Sequence, residues 1–222
     1  MIMASVVPIV FCYLNATAAF CGWYAGTGVS GSKHDLNMFS SSSDLQERVC
    51  IYCHVPHHAA GDTLASTPVW DEVKSGKVFT PYKSATFDAT VVDPLVGPTR
   101  LCLSCHDGVV ASDNHPNLRS DSYGGAGIAI NGDLSNDHPV GFSYLEVVNN
   151  KPNAYRSPNA LWLDGNGSVT VASCLYNNAI VTCVTCHDPH NKKNVSDPNN
   201  TYNYFVYSRQ AHSSLCQSCH IK

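Results

Sequence analysis

Four copies of one five-residue pattern carry the reactive groups of this 222-residue chain. They are Cys50-Ile51-Tyr52-Cys53-His54, Cys102-Leu103-Ser104-Cys105-His106, Cys183-Val184-Thr185-Cys186-His187 and Cys216-Gln217-Ser218-Cys219-His220. Two thiols three residues apart lie on one turn of backbone. Each can add to one vinyl group of a single porphyrin. The histidine beside the second cysteine then lies under the iron and supplies an axial nitrogen. Cys-x-x-Cys-His is accordingly the attachment signature of haem c. The pattern predicts four covalently attached haems, bound through Cys50, Cys53, Cys102, Cys105, Cys183, Cys186, Cys216 and Cys219. Their proximal ligands would be His54, His106, His187 and His220.

A single Cys-x-x-Cys is weaker, since it is also half of a zinc site or a thioredoxin-like redox pair. With 11 histidines in 222 residues, four boxes all followed by His arise by chance roughly once in 10^5. Structural zinc sites pair two boxes within about 12–20 residues. The gaps from Cys53 to Cys102, Cys105 to Cys183 and Cys186 to Cys216 are all longer.

Bis-histidine ligation of four irons needs four further imidazoles. The remaining histidines are His34, His57, His58, His115, His138, His190 and His212. We take His34, His57, His138 and His190 as second ligands and His58 as a further candidate. His115 and His212 lie in polar stretches and are left out. Methionine is almost excluded as a ligand, because Met38 is the only one outside the N-terminal segment. Bis-imidazole iron has no open coordination position and lacks the methionine that raises potential. The expectation is electron transfer at low to moderate potential, with no catalytic residue and no enzyme activity.

The first and third boxes both continue as Cys-x-x-Cys-His-x-Pro-His, ending in His57 and His190. The second and fourth share a leading leucine, Leu101 and Leu215. The sites therefore read as two pairs, first with second and third with fourth. The proline stops the short helix after the box. It turns His57 and His190 away from their own haems, most simply toward their pair-mates.

The elements that must position these groups are short. Gly, Pro, Ser and Asn are abundant between the boxes, and long periodic segments are missing. The fold class expected is a multihaem cytochrome c. It would be mostly coil, with short helices at the boxes, a minor β-hairpin and a core formed by the four haems. The hairpin is expected from Ser168 to Cys174, a turn at Asn177-Asn178, and Ile180 to Cys183. Aromatic residues such as Phe79, Tyr82 and Phe87 are expected against porphyrin. A haem-free chain is expected to be largely unfolded.

Residues 1–20 are apolar and end in the cleavage-like triplet Ala16-Thr17-Ala18, although no charged n-region precedes them. They read as a signal peptide or a retained N-terminal segment, and residues 21–222 as a single tetrahaem domain. Export is expected on other grounds, because covalent haem attachment takes place outside the cytoplasmic membrane. No other stretch is long and apolar enough to span a bilayer. Three cysteines lie outside the boxes: Cys12, Cys21 and Cys174. An oxidising compartment allows a Cys21–Cys174 disulfide; the alternative is two separate buried thiols. The formal charge of −4 offers no basic field for nucleic acid. Eight propionates and four ferric centres would bring the holoprotein to roughly −8 oxidised and about −12 reduced. Such a surface suits cationic partners and metal ions.

Lys33-His34-Asp35-Leu36, the first box with Val55-Pro56-His57-His58-Ala59, the second with Asp107-Gly108, Asn136-Asp137-His138-Pro139, and the run from Cys183 to Asn191 together carry a resemblance. From about residue 33 onward the chain resembles the extracellular tetrahaem cytochromes of the OmcE type, which polymerise into filaments. The resemblance implies little regular secondary structure and a continuous row of bis-histidine haems. It also implies one haem per subunit whose distal histidine comes from the next subunit. A spare histidine among His34, His57 and His58 would be that donor. A head-to-tail contact of this kind does not close and generates a helical filament. The partners expected are copies of the chain, redox proteins and extracellular metal-ion acceptors. A soluble periplasmic tetrahaem shuttle is the first alternative. A multihaem reductase with one five-coordinate haem is the second.

Overall fold

Proline, glycine and asparagine punctuate this chain, and among the described residues no element grows long. The computed structural model describes residues 28–32, 34–38, 45–54, 78–106, 128–129, 132–163, 168–191, 205–208 and 211–222. Among the described residues the longest helix is α2, Tyr144–Asn150. The other α-helices are α1 (Pro98–Leu103), α3 (Val171–Cys174) and α4 (Ser214–Gln217). Single 3-10 turns occupy Leu36–Met38, Val49–Tyr52 and Cys183–Thr185. A further 3-10 turn at Ala211–Ser213 and two strands, β1 (Phe142–Ser143) and β2 (Ile180–Val181), complete the set. Most of the described chain is coil. Helix α1 starts where Gly97 takes φ +56 and Pro98 occupies the first turn, a position that wastes no backbone donor.

The β1–β2 sheet is antiparallel, with Phe142 opposite Val181 and Ser143 opposite Ile180. This corrects the expected hairpin. The turn is present: Asn177 and Asn178 both have positive φ, and Tyr176 bridges Ile180 across them. The segment before it is not a strand, because Val171–Cys174 is helical. There Thr170 accepts the Ser173 amide and Ser173 Oγ accepts the Thr170 amide, a reciprocal cap that satisfies otherwise orphaned donors. Helix α3 buries Val171 and Cys174. β2 therefore finds its partner in a distant segment.

Side chains make a core among the described residues. Phe142, Tyr144, Val147, Trp162, Val171, Cys174, Leu175 and Val181 form one buried cluster, with Leu215 and Cys219 of the fourth box packed against it. Phe79, Leu103, Ala129 and Leu134 form a smaller one. Phe87 meets Tyr82 and Phe142 edge-on, at ring distances of 5.3 and 5.1 Å. It thus packs on protein. Cys174 is a free thiol inside the larger cluster, so the Cys21–Cys174 disulfide is not formed. The chain needs no bridge there because packing already holds α3. Residues 1–20, Cys12, Cys21, His57, His58 and His115 lie outside the described residues. No helix among the described residues is long and apolar enough to cross a membrane.

Candidate haem-binding centre

All four boxes fold into one turn. The amide of each histidine donates to the carbonyl of the first cysteine: His54 to Cys50 at 2.8 Å, His106 to Cys102 at 2.8 Å, His187 to Cys183 at 3.1 Å and His220 to Cys216 at 2.9 Å. The second cysteine donates to the same carbonyl, at 3.2, 3.2, 3.3 and 3.2 Å in the same order. One helical turn brings both thiols and the imidazole to one side. That is the arrangement two vinyl groups and one iron require.

Different elements hold each turn. In the first box the Tyr52 hydroxyl donates to Asn37 at 2.8 Å, tying the Leu36–Met38 turn to it. The second box lies in α1, which buries Leu103. The third packs on α1: the Cys183 amide donates to Thr99 Oγ1 at 3.2 Å. The thiols of Cys102 and Cys183 also hydrogen-bond to each other, which raises the pKa of Cys102 and lowers that of Cys183. The fourth box is tied to the core by several hydrogen bonds. Ser218 is fully buried. The Tyr144 hydroxyl donates to the carbonyls of Arg156 at 2.9 Å and Cys219 at 3.3 Å. Arg156 donates its amide to the Cys219 carbonyl at 2.8 Å and its Nε to the Gln217 carbonyl at 2.6 Å.

Three box histidines face a second histidine. Ring centroids are 5.9 Å apart for His34 and His106, 6.1 Å for His54 and His190, and 6.5 Å for His138 and His220. A metal–imidazole bond of about 2 Å puts two imidazoles on opposite sides of one iron with centroids about 6.4 Å apart. The three pairs fit axial ligation at that spacing. Their interplanar angles differ, which axial bonds permit because each ring turns about its own bond.

The pairing is not the one expected from sequence order. His190 faces His54 of the first box rather than His220 of its pair-mate. The reason is local: the turn after His187 is anchored on Phe205–Tyr207. There the Asp188 amide donates to Phe205 at 2.8 Å and the Tyr207 amide to Cys186 at 3.1 Å. The fourth site is already faced by His138. His34 precedes the first box in sequence yet reaches the second, its ring stacked on Phe205 at 4.9 Å. His187 belongs to the third box, and the candidates His57 and His58 lie outside the described residues. His212 is exposed, and its carbonyl accepts from Gln217 Nε2 at 3.2 Å.

Hydrogen bonds set the ring tautomers. His138 Nδ1 lies 3.1 Å from the Pro139 carbonyl. His190 Nδ1 lies 3.3 Å from the Asp188 carboxylate. An Nδ1 proton donated in this way leaves Nε2 free to bind metal. His138 is surface-accessible, yet protein crowds its ring, and burial lowers its pKa. Burial, then His138 and Lys222, lower that of His220. The lowered pKa of both rings favours the neutral form, the one that ligates.

The residues that support these sites had no sequence signal, Asp188 excepted, which directly follows a box. Thr99, Tyr144, Arg156 and Phe205 are remote in the chain from the turns they touch. No protein-family model matches the chain, and comparison with curated proteins finds no match.

Proposed function

We propose that the chain is a tetrahaem c-type cytochrome that passes electrons through four closely spaced bis-histidine haems. We further propose that it works as the repeating subunit of an extracellular filament delivering electrons to external acceptors such as metal ions. The observation that carries the reading is the facing of three box histidines by second histidines at 5.9 to 6.5 Å.

Haem c, when bound, supplies a one-electron ferric–ferrous couple. The chain's own residues do the rest. The eight box cysteines would anchor the porphyrins. His54 with His190, His106 with His34, and His220 with His138 would close both faces of three irons. His187 would take its second imidazole from His57 or His58 of a neighbouring subunit, the contact that would join copies of the chain. Shared segments support close spacing. Residues 34–38 touch the first box through Asn37 and the second through His34. The segment after the third box supplies His190 to the first. The Cys183 amide, donating to Thr99 of the helix that carries Cys102, brings the second and third boxes into contact.

Mass spectrometry of the secreted protein tests the first half, with four covalent haems expected. Electron microscopy of cell-surface material tests the second, with helical filaments expected. Monodisperse particles at high concentration would instead mark a soluble shuttle. A high-spin ferric signal that persists in the assembled protein would mark a reductase.

A further inference from the structure

One cation is built into a haem turn rather than lying on its surface. Arg156 is partly buried and bonded twice to the fourth box, at the Cys219 and Gln217 carbonyls. The Tyr144 hydroxyl locks the same strand of contacts from the core. The neighbouring Tyr155 bridges His220 through its backbone and sets its ring 5.1 Å from that imidazole. The Asp88 carboxylate is engaged by Lys151 at 2.7 Å and by the Tyr155 hydroxyl at 3.3 Å. Arginine cannot lose its proton in a protein. Its charge therefore acts on the fourth site at every accessible pH.

We propose that Arg156 is a positioning residue that clamps the fourth box and raises the midpoint potential of the haem bound there. This rests on the tetrahaem reading above. The physical reason is charge. A ferric porphyrin centre is one positive charge richer than a ferrous one, so a fixed cation beside it favours the reduced state. The step concerned moves one electron from a neighbouring ferrous haem to the ferric iron at this site. No bond breaks and no proton moves.

The test uses the full haem-loaded protein. Mass spectrometry first counts covalent haems; fewer than four in the unaltered protein would sink the tetrahaem reading itself. A redox titration followed by the low-spin haem signals then resolves the individual potentials. His138→Met, which exchanges an axial nitrogen for sulfur, marks the fourth haem among them. Arg156→Gln keeps a donor for the Gln217 carbonyl and removes the charge. It is expected to weaken electron occupancy at that haem about tenfold relative to the others, or about 59 mV for a one-electron couple. Arg156→Lys is expected to stay within about twofold of the unaltered protein. Gln217→Glu, which adds a negative charge on the same turn, is expected to move the same potential downward. An unshifted potential in a four-haem Arg156→Gln protein overturns the proposal. So do equal shifts in the Gln and Lys variants, which would leave Arg156 a clamp alone. Should Arg156→Gln load only three haems, Gln217→Glu decides, and an unmoved potential there overturns the proposal.

Discussion

A histidine becomes an axial ligand through what its other nitrogen does. His190 illustrates this, with Asp188 3.3 Å from Nδ1 and His54 across from its ring. His190→Ala is expected to leave one haem of four with an open position. The measurement is the ferric EPR spectrum, which should gain a high-spin signal equivalent to one iron; four low-spin signals would reject the pairing with His54. Asp188→Asn keeps the ring and weakens its support, so a smaller, pH-sensitive fraction of the same signal is expected. Cys174 is a different kind of residue, a buried thiol whose pKa is pushed up to about 11, first by burial and then by Cys219. Its folded pKa is raised, so the unfolded chain ionises first. Stability from this group is complete below pH 9.0 and is lost as pH rises toward about 11. Cys174→Ala should flatten that part of the stability–pH curve, as read by denaturant titration at several pH values. The native thiol should also resist alkylation at neutral pH, because the thiolate is the reactive form.

Short elements depend on single residues at their ends. Helix α3 has one turn and a reciprocal cap, with the Ser173 amide 3.3 Å from Thr170 Oγ1. Thr170→Ala is expected to cost about 1 kcal/mol, measurable as a lowered denaturation midpoint. β1 is entered through Gly141 at φ +81, where a Cβ would stand 2.1 Å from the Asp93 carbonyl. Gly141→Ala combines backbone strain with that collision and should cost at least about 2 kcal/mol. If both variants melt like the parent, the local account of α3 and β1 is wrong. The missed helix has a plain cause. Residues 168–174 alternate in sequence, yet Thr170 and Ser173 stand at capping spacing, and burial of Val171 and Cys174 favours the turn. Alternation alone does not report where the partner strand lies.

At the level of the whole molecule, the side-chain core and the haem turns are unevenly joined. The larger cluster includes Leu215 and Cys219 of the fourth box. The first box is held by fewer described side chains, Tyr52 on Asn37 among them. A haem-free preparation is expected to lose cooperative melting overall, and near-ultraviolet dichroism should retain most signal from Trp162 and Tyr144. Loss of that signal would mean that the cluster also depends on haem. The third iron is expected to take its second imidazole from His57 or His58 of a neighbouring subunit. Alanine at that histidine should abolish filaments in electron micrographs while all four haems stay bound, and filaments that survive alanine at both positions would reject the donor.

Much of the candidate site was legible in the chain itself. Attachment chemistry is local: two thiols and an imidazole within five residues need only one turn of backbone, and hydrogen bonds within the turn form it the same way four times. The supply of second histidines could also be counted from composition. Which of them faces which box could not. His34 passes the first box to reach the second, and His190 crosses to the first rather than the fourth, because contacts with Phe205 and Tyr207 aim those segments. Arg156 and Tyr144 meet the fourth box across a long stretch of chain for the same reason. The primary structure carries the attachment pattern, since that depends on neighbours along the backbone. Only the tertiary structure decided the pairing and the charge around each site, since those depend on packing between residues far apart in the chain.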